Sequence, residues 1–278
     1  MPNFLPPPQS NTFSSRYPPM NKRLLFPLTL LLSQLLAGCA VYMPIQCAAP
    51  QITDQHQAEI TGSTYLNGRY EVAGAYSPVR HLLVRAAYSN LPARTDSTYY
   101  RGHQYELAAG TYWPLGSQWL IGGLGGFGQA RSEARYQGSG GLISIGGIRP
   151  IQHVFDAHYN KLFGEVYGVL QASETISVGA AYRVTRVNFT SLTDAGTAVD
   201  LSKMVRSEPM LFFRVRLGSG PAASRPIQLQ AAWGTSTSFG YDHPLDAPSS
   251  ADYQLQQPRG YTTIGISLFP HCLMHRQH

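Results

Sequence analysis

The sequence predicts an all-β protein: an antiparallel up-and-down transmembrane β-barrel of about ten strands, between eight and twelve. From residue 59 onward, apolar residues alternate with small or polar ones at period two, the period of a strand with one apolar face. The opposite faces are rich in Gly, Ala and Ser, and only 13 % of residues are charged, against roughly 25 % in soluble domains. Links between the runs alternate between short and long, as in membrane barrels.

The first 38 residues contain the three regions of an export leader in the usual order. A basic pair, Lys22 and Arg23, precedes an apolar stretch from 24 to 36, and Leu36-Ala37-Gly38-Cys39 matches the lipobox at which lipoprotein signal peptides are cleaved. The apolar stretch is short for a transmembrane helix, which needs about 20 residues. We therefore expect residues 1–38 to be removed and Cys39 to carry a covalent lipid, with no other cofactor.

Residues 39–57 contain proline and glutamine without periodicity, and we interpret them as a lipidated tether ahead of a barrel domain over 58–278. The leader holds three basic residues and no acidic one, so processing lowers the net charge from +6 to +3. That charge is not clustered as a nucleic-acid partner would require. Export places Cys47 and Cys272 in an oxidising compartment, where they pair with each other in a disulfide, stay free or bond to other chains.

Ten runs along the barrel domain predict its strands. Asn67-Gly68 between the first two runs is the strongest short signal for a hairpin. Later runs set large apolar residues on one face, although the fifth is rich in glycine and the sixth has aromatic residues on its charged face. The predicted strands cover residues 59–66, 70–77, 82–89, 105–113, 119–131, 159–170, 176–185, 211–217, 227–234 and 263–268.

The links after the first hairpin alternate in length. Because the strand number is even and the short links fall in even places, we expect both termini at the rim with short turns, the periplasmic rim of an outer-membrane barrel. The short links cover 78–80, 114–117, 172–175 and 218–225, and the long ones cover 90–103, 132–158, 190–207 and 240–259.

The direction of each face separates two architectures. In a membrane barrel, Leu211, Phe213 and Val215 face lipid while Arg214 and Arg216 face the lumen. A soluble, lipid-tethered, lipocalin-like barrel would reverse these faces and enclose a small apolar ligand. The small residues on the polar faces favour the membrane barrel, because a solvated surface usually carries larger polar side chains.

Eight charged residues lie on the faces that we expect to line the lumen. Buried charges are costly unless they pair, so a narrow lumen predicts an ion-pair network that closes it. The alternative is a narrow passage that prefers anions, because rings of basic residues select them. The eight residues are Glu71, Arg85, Glu106, Lys161, Glu165, Arg183, Arg214 and Arg216.

No motif in the chain predicts catalysis. Residues 123–128 match a glycine-rich dinucleotide fingerprint, but the helix that this motif requires does not follow. The nine histidines form no metal-binding pattern, and no nucleophile motif is recognisable. We expect a protein that is not an enzyme and has no metal site, with a structural role or a binding role for its long loops.

Several short motifs carry a resemblance to a known group. They are Tyr42-Met43-Pro44 after Cys39, Glu59 at the start of the first strand, Ala75-Tyr76-Ser77-Pro78, and the strand from Glu106 to Tyr112 with its Gly110. In these motifs the chain resembles an uncharacterised group of Bacteroidetes outer-membrane β-barrel lipoproteins. The resemblance implies an outer-membrane barrel and no particular activity. For such a protein we expect outer-membrane lipid and the barrel-assembly and lipoprotein-sorting machineries as partners.

Overall fold

The computed structural model describes residues 41–92, 99–137, 152–218, 225–240 and 250–274. No helix in these ranges is long and apolar enough to cross a membrane. The elements are β1 (Ala58–Tyr65), β2 (Tyr70–Tyr76), β3 (Leu83–Leu91), β4 (Tyr99–Leu115), β5 (Trp119–Gln137), β6 (Gln152–Gln171), β7 (Ile176–Asp194), β8 (Thr197–Ala198), β9 (Lys203–Leu217), β10 (Ile227–Ser238), α1 (Ala251–Gln256), β11 (Arg259–Leu268) and α2 (Pro270–Met274).

Ten of the described strands close into one antiparallel barrel, as the sequence predicts. Each strand pairs with its neighbour in the chain from β1 to β7, then through β9, β10 and β11, and β11 pairs with β1. The short β8 only adds to the end of β7. The hairpin at Asn67-Gly68 is confirmed, with Gly68 at a φ of 84° that its missing Cβ permits.

The barrel has two unlike rims. We call the end where β2–β3, β4–β5, β6–β7 and β9–β10 connect the short-turn rim, and the opposite end the loop rim. Strands β4 to β7 contain 17, 19, 20 and 19 residues, more than predicted, and extend beyond their neighbours at the loop rim. The long links between them are correspondingly shorter than the sequence pattern suggests.

The faces of the strands agree with the membrane-barrel prediction. Phe213 points outward with 39 % of its surface exposed, whereas its neighbour Arg214 points into the lumen with 2 % exposed. The lipocalin-like alternative, which required the reverse, is therefore wrong. The ambiguous sixth strand is also settled, since Lys161 and Glu165 point inward while Leu162 and Val166 point outward.

Glycines of the lumen face make room for large inward rings on the next strand. A Cβ added to Gly122 of β5 would lie 2.3 Å from the ring of Tyr167, its partner on β6. Gly179 and Gly234 stand in the same relation to Phe212 and Tyr261. The inward glycines of the fifth strand thus serve close packing between neighbouring strands.

The lumen contains part of the chain itself. Residues 41–52, which we call the lumen segment, run inside the barrel without helical or strand structure and pair with none of the described strands. They are almost fully buried. The tether interpretation of 39–57 is therefore wrong for this part, because the segment's apolar side chains and its polar backbone both find partners inside the barrel.

The chain reverses direction just before β1. After Ile52, the Gln57 side chain accepts a hydrogen bond from the Thr53 backbone, and His56 has a positive φ of 61°. The described chain consequently begins near the loop rim with Val41 and ends at the short-turn rim with α2. The expectation of both termini at one rim omitted this reversal and does not hold for the described chain.

Candidate functional site: a chain segment bound in the barrel lumen

Side chains of the barrel bind the carbonyl groups of the lumen segment. Arg69 donates from Nη2 to the Pro44 carbonyl at 2.7 Å, and Arg214 donates from Nη1 to the Ala49 carbonyl at 2.6 Å. Similar bonds reach the carbonyls of Val41, Met43 and Gln46 from Tyr100 Oη, Gln104 Nε2 and Arg85 Nη2, at 2.9, 3.0 and 3.3 Å. A chain segment without a strand partner needs such donors, because a buried unpaired carbonyl is costly.

Carboxylates of the barrel accept the segment's N–H groups. The N–H of Gln51 donates to Glu59 Oε2 at 2.8 Å, and the N–H of Ala48 donates to Glu165 Oε1 at 3.0 Å. The N–H of Gln46 donates to Tyr65 Oη at 2.9 Å and to Glu71 Oε2 at 3.2 Å. Charged acceptors form stronger bonds than neutral ones, so these carboxylates bind the chain tightly through its backbone.

Tyr42 gives the segment a specific side-chain contact. Its hydroxyl donates to Glu208 Oε1 at 2.7 Å, and the Arg206 guanidinium lies 5.3 Å from the centre of its ring. Glu208 is fully buried and also accepts hydrogen bonds from Thr185 Oγ1 and Ser236 Oγ at 3.0 Å each. The hydroxyl groups of Tyr42, Thr185 and Ser236 therefore all donate hydrogen bonds to this carboxylate.

An ion-pair network surrounds Glu106 beside the segment. Lys161 Nζ lies 2.7 Å from Glu106 Oε1, Arg183 Nη1 lies 3.1 Å from it, and Arg85 Nη1 lies 3.4 Å from Oε2. Arg183 also pairs with Glu165 at 2.6 Å. Since every member is buried, the network holds β3, β4, β6 and β7 together across the lumen.

The structure brings together the eight charged residues that the sequence assigned to the lumen. Seven of them bind one another or the segment as described above, and Glu71 also pairs with Arg85 at 3.6 Å. Arg216 donates to Gln51 Oε1 at 3.2 Å, closer to the short-turn rim. The predicted network exists, but much of its bonding goes to a backbone that the sequence did not place there.

The sequence pattern did not identify several residues of the site. Arg206 and Glu208 lie on β9 with the same alternation as Arg214, so extending the eighth predicted strand backward would have found them. Glu59 shares the inward face of β1 with Tyr65. Arg69 lies in the turn after β1 and has no periodic signal that could have identified it.

Little free space remains beside the middle of the lumen segment. The cavity bordered by Cys47, Glu59, Arg85 and Arg214 measures about 40 Å³, whereas the one at the short-turn rim beside Gln51 and Arg216 measures about 690 Å³. A water molecule needs roughly 10–15 Å³ of such volume, so the space between the described residues at Cys47 holds a few water molecules at most. The described lumen supports the closed network rather than the passage that prefers anions.

The two described cysteines are free and buried, at different depths in the barrel. Cys47 donates from Sγ to the Glu208 carbonyl at 3.5 Å inside the lumen, whereas Cys272 belongs to α2 at the short-turn rim. The disulfide between them is not formed. Burial raises the pKa of the Cys272 thiol above its usual value, although the charge of Arg216 opposes that rise. Cys39 lies outside the described residues.

The described residues contain no group of three His, Cys, Asp or Glu side chains placed to hold a metal ion. The shortest histidine contact to an acid is His153 Nδ1 to Asp194 Oδ2, at 2.6 Å near the loop rim. That pair also fixes the backbone, because Asp194 Oδ1 accepts from the Val154 N–H at 2.9 Å.

Comparisons with known proteins find distant structural likenesses. No protein-family model and no curated protein matches the chain. The N-terminal β-barrel domain of Pseudomonas aeruginosa OprF is 8 % identical at a TM-score of 0.32, covering 78 % of this chain and 99 % of its own. The translocator domain of the autotransporter NalP from Neisseria meningitidis is 11 % identical at 0.41, covering 89 % and 95 %. The Escherichia coli outer-membrane protease OmpT is 13 % identical at 0.38, covering 78 % and 94 %. Likeness at this level does not assign a function.

Proposed function

We propose that this protein is an outer-membrane β-barrel lipoprotein whose lumen is closed by its own N-terminal segment. Its role would be structural, or binding through the segments at the loop rim, without catalysis. The observation that carries the proposal is the contrast between the two faces of the barrel. The outer face is apolar, as the face of a barrel in contact with lipid would be. The lumen is polar and charged, and it is occupied by residues 41–52.

The outer face supports a membrane environment. Leu162, Val166, Leu211, Ile264 and other large apolar side chains are more than half exposed and follow one another around the barrel. Soluble monomers rarely expose contiguous apolar patches beyond a few hundred Å². Closure also satisfies the backbone of every barrel strand, which a membrane-spanning sheet requires.

The height of the apolar band fits a bilayer. Tyr105 and Trp113 lie outward on β4, eight residues apart, which is about 26 Å along a strand. At a tilt of about 40° this spans about 20 Å of membrane depth, against the apolar band of about 25 Å known for such barrels. The two aromatic side chains would then lie near the two interfaces, where Tyr and Trp are enriched.

The leader sequence supports the proposed outer-membrane location and the proposed lipid anchor. A signal peptide ending in Leu36-Ala37-Gly38-Cys39 would direct export and acylation of Cys39. Barrel-assembly and lipoprotein-sorting machineries would then be the partners during biogenesis, and outer-membrane lipid the permanent one. The filled lumen favours a role for the external surface over transport, since the described residues leave only about 40 Å³ beside Cys47 for a solute to pass.

Fractionation and lipid labelling of cells producing the full chain test this proposal. We expect the protein in the outer-membrane fraction, with a gel mobility that shifts on boiling because the barrel resists detergent until heated. We expect incorporation of labelled palmitate that Cys39→Ser abolishes and Cys272→Ser leaves intact. A protein recovered as soluble, without heat-dependent mobility, would contradict the barrel proposal, and label retained by Cys39→Ser would contradict the anchor.

A further inference from the structure

The lumen segment has a fixed direction inside the barrel. Its C-terminal end lies at the short-turn rim, where Gln51 binds Glu59, the second residue of β1, and Ser177, the second residue of β7. Its N-terminal end lies at the loop rim, where Val41 binds Tyr100, the second residue of β4. Strands β1 and β7 begin at the short-turn rim and β4 begins at the loop rim, so the segment crosses the whole barrel.

Intermediate contacts follow the same order. Ala49 binds Arg214 of β9, Gln46 binds Tyr65 near the end of β1, and Pro44 binds Arg69 in the β1–β2 turn. Beyond that turn, Val41 enters the part of the barrel that β4 to β7 extend at the loop rim. There it belongs to a buried apolar cluster with Ala134, Phe155 and Leu255 of α1.

We infer that the chain N-terminal to Val41 leaves the barrel through the loop rim, opposite the C-terminal helix α2. Cys39 precedes Val41 by two residues, which limits their separation to about 7 Å for a fully extended chain. The lipidated N-terminus would therefore be presented at the loop rim. This inference rests on the proposed function where it takes Cys39 to be lipidated and where it identifies the loop rim with the cell surface.

The arrangement has a consequence for assembly. With the segment in place, the cavity beside Cys47 and Arg214 measures only about 40 Å³, so an acyl chain has no room to pass the seated segment there. Cys39 would therefore reach the loop-rim side before the segment is seated, or as it is seated. In the cell this would place the acyl chains at the outward-facing leaflet of the outer membrane, on the loop-rim side of the barrel.

Epitope insertions test which rim each part of the chain occupies. One variant carries the epitope between Ala40 and Val41, and three matched variants carry it after Ser173, after Asp246 or after His278. On intact cells we expect an antibody to detect the first epitope together with the one after Asp246. The epitopes after Ser173 and His278 should become detectable only when the outer membrane is permeabilised.

The grouping of the epitopes separates this inference from the proposed function. An N-terminal epitope that becomes accessible only with those after Ser173 and His278 would overturn the inference. If the rims prove inverted in the cell, the surface location fails, but the direction of the segment still stands when the N-terminal epitope groups with Asp246. A protein absent from the outer membrane would overturn the proposed function and the surface location together.

Photocrosslinking of the purified full chain tests the direction without a membrane and without an insertion. A benzophenone side chain replacing Tyr100 should crosslink to the peptide containing Val41, and one replacing Gln171 should crosslink to the peptide containing Gln51. The Gln51 Nε2 group lies 3.5 Å from Gln171 Oε1, so both probes start next to their targets. The opposite pattern, or crosslinks from neither position to residues 41–52, would overturn the inference.

Discussion

The outer and lumen faces of the same strands obey different rules, and Phe213 and Arg214 show the difference at adjacent positions. Phe213 points outward, where any large apolar side chain satisfies its environment. Arg214 points inward and makes defined bonds, to Gln230 Oε1 at 2.5 Å and to the Ala49 carbonyl at 2.6 Å. The outer face thus depends on residue class, whereas the lumen depends on matching each charged group to a partner.

The largest effect should follow removal of a charge from the centre of the lumen network. Glu106→Gln leaves Lys161, Arg183 and Arg85 with too few acidic partners, and breaking a buried ion pair typically costs about 3–5 kcal/mol. We expect the free energy of unfolding to fall by that amount, measured by urea unfolding in detergent with heat-dependent gel mobility as the readout.

The matched control is Glu133→Gln on the outside of the loop rim. Glu133 pairs with the half-exposed Arg101, and exposed ion pairs contribute little to stability. Equal losses in both variants would show that lumen charges are no more critical than exposed ones, which would break the comparison between the two faces.

A charge placed on the outer face should have the next largest effect. Phe213→Arg puts a guanidinium on the outward side of β9, where the cost at the middle of a bilayer is about 2–4 kcal/mol. We expect less protein assembled in the outer membrane and a lower free energy of unfolding in lipid. Phe239→Arg, just beyond the end of β10, is the control and should cost about 0–1 kcal/mol, as expected near the interface.

Glycine substitutions compare the two faces on neighbouring strands. Gly122→Ala forces a methyl group against the Tyr167 ring in the lumen, and overpacking of this kind costs about 1–3 kcal/mol. Gly168→Ala adds the same methyl group to the outer face of β6, where nothing lies within 4 Å. We expect urea unfolding to detect a loss for Gly122→Ala alone, and a similar loss for Gly168→Ala would argue against the assigned faces.

The smallest effect concerns the cysteines. Since Cys47 and Cys272 are free thiols, the unfolded wild-type chain should have the same mobility with and without reductant. Cys272→Ser should not change that mobility. The free energy of unfolding should change by about 0.5 kcal/mol or less if α2 contributes little to the barrel. A reductant-dependent mobility that Cys272→Ser removes would show that the disulfide forms after all.

The fold could be predicted from the sequence because the outer face carries large apolar residues at every second position. Alternation along residues 211–217 identified both faces of β9, and Asn67-Gly68 identified the first hairpin. This rule fails at the loop rim, where β4 and β5 carry outward charged residues such as Arg101 and Glu133 in place of apolar ones. The alternation therefore predicts loops where these two strand ends lie.

The site was less predictable because the lumen segment has no periodicity of its own. Its partners come from many strands, so residues such as Gln46 and Ala48 carry no local sign that side chains bind their backbone. The charged lumen residues were visible as an excess of inward charge. The groups that these charged residues bind depend on a chain reversal at residues 53–57, which the spacing of apolar residues does not predict.

Single-channel conductance in planar bilayers tests most directly whether the segment closes the lumen. The purified wild-type barrel should show no steady conductance steps, because residues 41–52 fill its interior. A variant with these residues replaced by a Gly/Ser sequence of equal length, selected for heat-dependent mobility, should show steps because its lumen can fill with water. Steady steps of equal size in both proteins would contradict the account, since the segment would then not be what closes the barrel.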